Sequence, residues 1–199
     1  MGVIFKLTII LGGSMQFSKM FLLLSLTLLL SARIFSADKL PSSENGIKAE
    51  IVQELNDAEE KVTSLAKDFP PEKFTWRPEE DVRSVSEAII HVAAANYFIL
   101  SFTGIKLPEG MKMDNDFDKK TTKKAEILEL VKTAYSFTRD KINAMSDKDL
   151  EKMVDFFGSK ITTRQLLLKM IGHNHEHLGQ LIAYARMNGI VPSWSKKEN

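Results

Sequence analysis

The sequence predicts an all-α protein, a four-helix bundle behind an N-terminal signal peptide. Three observations carry this reading. Four segments repeat apolar residues at helical spacing. Capping residues, glycines and prolines mark where those segments start and stop. Residues 1–37 hold Lys6, Lys19 and Arg33, no acidic residue, and the apolar run FLLLSLTLLL from Phe21 to Leu30.

The leader comes first. A basic residue, an aliphatic run and the following SARIFSA have the order of a secretory signal. The run is shorter than the ~20 apolar residues that span a bilayer comfortably. Cleavage is expected after Ser36 or Ala37, and Met15 is an alternative start that makes a more ordinary leader. Residues 38–45 then form a linker, 46–194 the bundle and 195–199 a tail. The expected location is periplasmic or secreted. The second reading is an uncleaved membrane anchor, to which the apolar stretch Val3 to Leu11 lends support.

Charge and cysteine usage narrow the function. The chain has 27 Lys and Arg against 26 Asp and Glu; the leader takes three of the basic residues, leaving the rest at a net charge of −2. That balance gives no basic face for nucleic acid, so none is expected as a partner. There is no cysteine. Disulfides, thiolate nucleophiles, Cys-ligated zinc and lipoprotein acylation are excluded. A domain of about 160 residues buries roughly two-thirds of its unfolded surface, so its core alone can hold it.

The first helix is predicted from Ile47 to Lys67, with Ile51, Leu55, Ala58, Val62 and Leu65 on one face, stopped by Pro70 and Pro71. The second opens on the capping box Ser84 to Glu87 and runs to Phe102. It is apolar nearly all round, which predicts burial between neighbours. Residues 103–120 form a long loop, a length associated with function or mobility. The third helix is expected to follow a cap at Thr121 or Thr122 and reach Ala144. A short helical turn follows from Ser146, then a bent, partly extended DFFGSKITT. The fourth helix starts at a Thr162 or Thr163 cap and ends near Asn188, with Gly189 as its left-handed C-cap and Pro192 beyond. Trp76 and Trp194 are read as packing residues.

Three of the four histidines lie within residues 173–177. On a helix, His177 falls about 40° from His173 and His175 about 200° away. His173 and His177 therefore share one face, the geometry of two imidazoles on one metal ion. Leu166 and Met170 continue that stripe, and Gln180 and Tyr184 lie on it, so the pair faces the interior. Buried imidazoles need partners for a donor and an acceptor. A metal ion satisfies both, and the remaining histidine, His91, sits in the middle of the second helix. Glu87, one turn earlier, is an outer carboxylate or simply the cap. The bland reading is a pair of core histidines satisfied by each other, with His175 solvated.

Three stretches resemble the DinB-like (damage-inducible) superfamily of four-helix bundles. RPEEDVRSVSEAIIHV, Arg77 to Val92, is similar to that family's turn into a helix carrying its first metal histidine, here His91. FGSKITTRQLLLKMIGHNHEH, Phe157 to His177, is similar to its lead-in and His-x-x-x-His. LGQLIAYARMNGIVP, Leu178 to Pro192, follows with Gly179, Gln180, Gly189 and Pro192 in the family's places. The resemblance covers about residues 45–194. It implies one divalent metal ion, often zinc or nickel, on His91, His173 and His177, with water or substrate completing the coordination. Known relatives include transferases and isomerases that use low-molecular-weight thiols. Those thiols are cytosolic, so a leader for export argues against that role here.

Three neutral imidazoles leave the ion's charge uncompensated, enough to take the pKa of a bound water from about 15.7 toward about 7. The first expectation is an exported metal-dependent hydrolase or transferase on a small molecule. Gln180 and Tyr184 would orient water or substrate, and Phe156 or Phe157 would line a mouth near loop 103–120. The second is a non-catalytic module that holds a metal or an apolar ligand, with no exchangeable water on the ion or with a fourth side chain such as Glu176 or Glu87 closing the site. The third is a plain helical scaffold with His91 far from the pair. A homodimer is compatible with each.

Overall fold

The computed structural model describes residues 46–109, 111 and 116–196. The predicted leader, the linker and the last three residues of the tail lie outside the described residues. Four long helices form the body: α1 (Gly46–Asp68), α2 (Val85–Ser101), α3 (Lys124–Asn143) and, last in the chain, α5 (Thr163–Met187). Between α3 and α5 come a short α4 (Asp147–Leu150) and two strands, β1 (Met153–Phe156) and β2 (Ser159–Thr162). None of the described helices is long and apolar enough to cross a membrane.

Local sequence explains most of the boundaries. Ser84 caps α2 by accepting from the Glu87 amide, and Glu87 reaches back to the Ser84 amide. Thr162 and Gln165 make the same reciprocal pair at the start of α5. At its end Gly189 adopts φ +72°, its N–H bonds the Arg186 carbonyl and the Ile190 N–H bonds the Ala185 carbonyl. These two bonds are a Schellman motif, which needs the left-handed residue that glycine supplies without strain.

α1 and α2 each pack against both α3 and α5. Helices adjacent in sequence, α1 and α2, therefore lie diagonally, and the Phe69–Ser84 connection carries the chain across. This placement explains why α2 is apolar nearly all round: 13 of its 17 residues are buried, serving two neighbours at once. It also sets α2 beside α5, which brings His91 to the last helix.

Three expectations are corrected. α3 begins later than a Thr121 or Thr122 cap implies. Its N-cap is Lys123 without a side-chain cap, while Thr121, just outside the helix, accepts from the Lys123 amide and donates to Glu126 in the first turn. The bent DFFGSKITT is an antiparallel hairpin pairing Val154 with Ile161 and Phe156 with Ser159. Phe157 (φ +53°) and Gly158 (φ +82°) occupy its two-residue turn, both left-handed as a type I′ turn demands. Trp194 is 42% exposed in a surface turn, held by hydrogen bonds from Ser193 to Asp68, and is not a core residue.

Candidate metal centre

His173 and His177 lie one turn apart on α5 and His91 faces them from α2. The ring centroids are 5.2 Å apart for His91 and His173, 4.7 Å for His91 and His177, and 4.5 Å for His173 and His177. One nitrogen from each lies within 4.8 Å of the others. These are the pair that the spacing selected and the one histidine that remained. His175 points away and meets Glu54 at 3.2 Å on the other side of α5. The scaffold arrangement, with His91 remote, is not what the chain adopts.

A hydrogen-bond chain sets the orientation of His177, and its direction follows from its far end. The Arg83 carbonyl can only accept, so the Tyr184 hydroxyl donates to it, at 3.1 Å. Tyr184 then accepts from Gln180 Nε2, at 2.7 Å. That turns Gln180 Oε1 toward His177, whose Nδ1 must carry the proton in the 2.7 Å contact. With the proton on Nδ1, Nε2 of His177 keeps its lone pair free. Gln180 and Tyr184 thus direct these bonds to a histidine and a backbone carbonyl. Tyr184 is itself buried and stands edge-on to Trp76.

His173 Nδ1 is buried with no hydrogen-bond partner in the protein. Neither acidic neighbour completes the group. Glu87 gives one oxygen to the Ser84 amide and the other to Arg77, and Glu176 is exposed. Among the described residues the cluster of potential ligands is the three histidines alone. That is one fewer than the four protein ligands of a closed structural zinc site.

Burial, then the Arg83 guanidinium and the other two rings, pushes His91 from 6.5 to about 4, with Asp118 opposing. Burial and His177 likewise push His173 to about 4, against the pull of Glu176. Both rings are neutral at pH 7, the state a metal ligand requires. Between about pH 6.5 and pH 4 the unfolded chain takes up protons that these folded rings refuse. Stability therefore rises with pH across that window and is lost as pH falls through it. Half-exposed rings feel only part of the full burial effect. Urea unfolding of metal-free protein is expected to show a lower midpoint at pH 4.5 than at pH 6.5. Substituting His91→Asn should shrink that difference; an unchanged pH dependence would show that the ring titrates normally.

A cavity of about 440 Å³ adjoins His91 and His173. Phe156 and Phe157 line it, as does Phe98 of α2. Loop 103–120 reaches it through the 3-10 turn Phe117–Lys119, which contributes Phe117 and Asp118. Arg83 and Asp118 had no signature in the sequence. One precedes a cap and the other sits in a loop, and only the folded chain brings them together, with Arg83 Nε 2.9 Å from Asp118 Oδ2.

Helix order, the α2–α5 contact and three convergent imidazoles define the class: a four-helix bundle with a histidine triad at the wall of a cavity. The chain belongs to the DinB superfamily, whose family model matches residues 54–181. No curated protein matches it. Among solved structures it is similar to a DinB-like protein from Bacillus cereus (21% identity, 71% of this chain and 93% of that one, TM-score 0.63). It is also similar to the DinB-like YjoA of Bacillus subtilis (20% identity, 71% and 94%, TM-score 0.56). A third is YfiT of Bacillus subtilis, described as a probable metal-dependent hydrolase with an unusual four-helix bundle topology (15% identity, 79% and 95%, TM-score 0.58). At these identities the likeness is one of fold.

Proposed function

We propose that the protein is an exported metal-dependent enzyme, a hydrolase or transferase of a small molecule. One divalent ion, zinc or nickel, is held by His91, His173 and His177. The observation that carries this is the convergence of three imidazole nitrogens within 4.8 Å from two helices. The donor set fits such an ion on three further counts. His91 and His173 are neutral at pH 7, a buried Nδ1 on His173 lacks any protein partner, and Gln180 fixes the His177 tautomer. Export rests on the leader pattern in residues 1–37. YfiT, a structural neighbour, lends support to hydrolysis as the reaction class.

A divalent ion in this place supplies Lewis acidity, which activates water or a thiol or polarises a carbonyl. The protein contributes the rest. Gln180 and Tyr184 lock one ring, the α2–α5 contact sets the distance of another, and the phenylalanines give the adjoining cavity an apolar lining. Glu87 is committed to its cap and to Arg77, so it does not close the coordination shell. This disfavours closure by Glu87, one form of the second reading, a non-catalytic metal- or ligand-binding module.

Elemental analysis of the untagged mature domain is the direct test, followed by a hydrolase and group-transfer substrate screen. About one zinc or nickel per chain is expected, and no bound metal after purification without chelators overturns the proposal. Gln180→Leu is expected to weaken metal affinity roughly ten- to hundredfold, because a lost outer partner frees the ring and its tautomer. Competition with a chromogenic chelator measures this, and unchanged affinity would remove Gln180 from the role of positioning residue.

A further inference from the structure

Taking the proposed centre as the reaction site, we propose that the cavity beside it accepts a small organic anion. Its apolar, phenyl-sized body packs on Phe98, Phe156 and Phe157, and its acidic group meets Arg83.

Arg83 and Asp118 are the charged residues of the lining and they touch through one edge of the guanidinium, Nε to Oδ2. No protein hydrogen bond engages the terminal nitrogens of Arg83 among the described residues. A guanidinium offers five donors in a planar fork, so its outer edge is open to a carboxylate or phosphate oxygen. The backbone of Arg83 is held as well, since its carbonyl receives the Tyr184 hydroxyl. One hydrogen-bond chain therefore positions both His177 and Arg83. A cation on the neighbouring imidazoles adds to the same sign of field. Asp118, already paired, is the weaker attractor.

Phe98 is 40% exposed and Phe157 71% exposed. With Phe102 and Phe156 they form one aromatic group, with centroid distances from 4.7 to 6.2 Å. Phe157 holds a left-handed conformation that a bulky residue rarely adopts. Asp155 Oδ1 supports it by accepting from the Gly158 amide at 2.8 Å. Exposed aromatic area beside a cavity of this size is what an apolar ligand covers.

The test is a charge series on one shape: phenylacetate, neutral phenylacetamide and cationic benzylamine, titrated by calorimetry and by phenylalanine ring shifts in NMR. Phenylacetate is expected to bind at least about tenfold more tightly than the other two. Arg83→Met should erase that preference, Asp118→Asn should strengthen it, and Phe157→Ala should weaken all three ligands. Equal binding across the series, tighter binding of benzylamine, or no binding of any at millimolar concentration overturns the proposal. The series repeated on metal-free His173→Ala protein separates it from the metal reading. A preference that persists there belongs to Arg83 whether or not the wild-type domain carries metal.

Discussion

His173→Ala is expected to bring the metal content of the purified domain from about one ion per chain to nearly none, with helicity unchanged. Removing one of three nitrogens leaves a pair, and two imidazoles hold a divalent ion far more weakly than three at the trace concentrations that survive purification. The fold should tolerate the change. His173 is only half-buried, alanine is the best helix former, and the α5 core residues Leu166, Met170 and Leu181 are untouched. His91→Ala and His177→Ala should do the same from their own positions. His175→Ala is the control, because its ring sits on the other side of α5 against Glu54. Elemental analysis beside circular dichroism reads both effects. Metal retained in His173→Ala, or lost equally in His175→Ala, would falsify the triad.

The features readable in advance are those set by neighbours in sequence. Ser84 with Glu87, Thr162 with Gln165, and Gly189 before Pro192 each act within a few residues, so their helix ends were legible. The shared face of His173 and His177 follows from helical period alone. His91 was reachable because one histidine remained once His175 was turned outward. The hairpin was not legible. Its turn begins with phenylalanine, a residue whose chemistry gives no hint of a positive φ, and each strand is only four residues long. The diagonal placement of α1 and α2 also escaped, because it depends on which faces fit α3 and α5. Arg83 and Asp118 meet across the fold through a contact that no local spacing encodes. The direction of the Gln180–Tyr184 chain was hidden for the same reason: its terminus is a carbonyl from before α2.

The largest stability effect is expected one residue away from the triad, at Asn174. This side chain is fully buried and joins three helices. Its Oδ1 accepts from the Tyr135 hydroxyl of α3 at 2.5 Å, and its Nδ2 donates to Asn96 Oδ1 of α2 at 2.7 Å and to the Met170 carbonyl at 2.8 Å. Burial holds the Tyr135 phenol well above its usual range, so the hydroxyl stays protonated and remains a donor. Asn174→Ala strips partners from Tyr135 and Asn96 at once and leaves a void. Each stranded buried group costs about 1–3 kcal/mol, so a loss of about 3–5 kcal/mol is expected. For a domain of this size that lowers the melting temperature by on the order of 10 °C. Tyr135→Phe strands Asn174 Oδ1 and should cost about 1–3 kcal/mol. The double variant should cost less than the sum of the two, since the phenylalanine has no hydroxyl left to strand. Strict additivity in denaturant unfolding would mean that the two groups do not share a bond. A negligible effect of Asn174→Ala would mean that water enters the core and satisfies what the amide now holds.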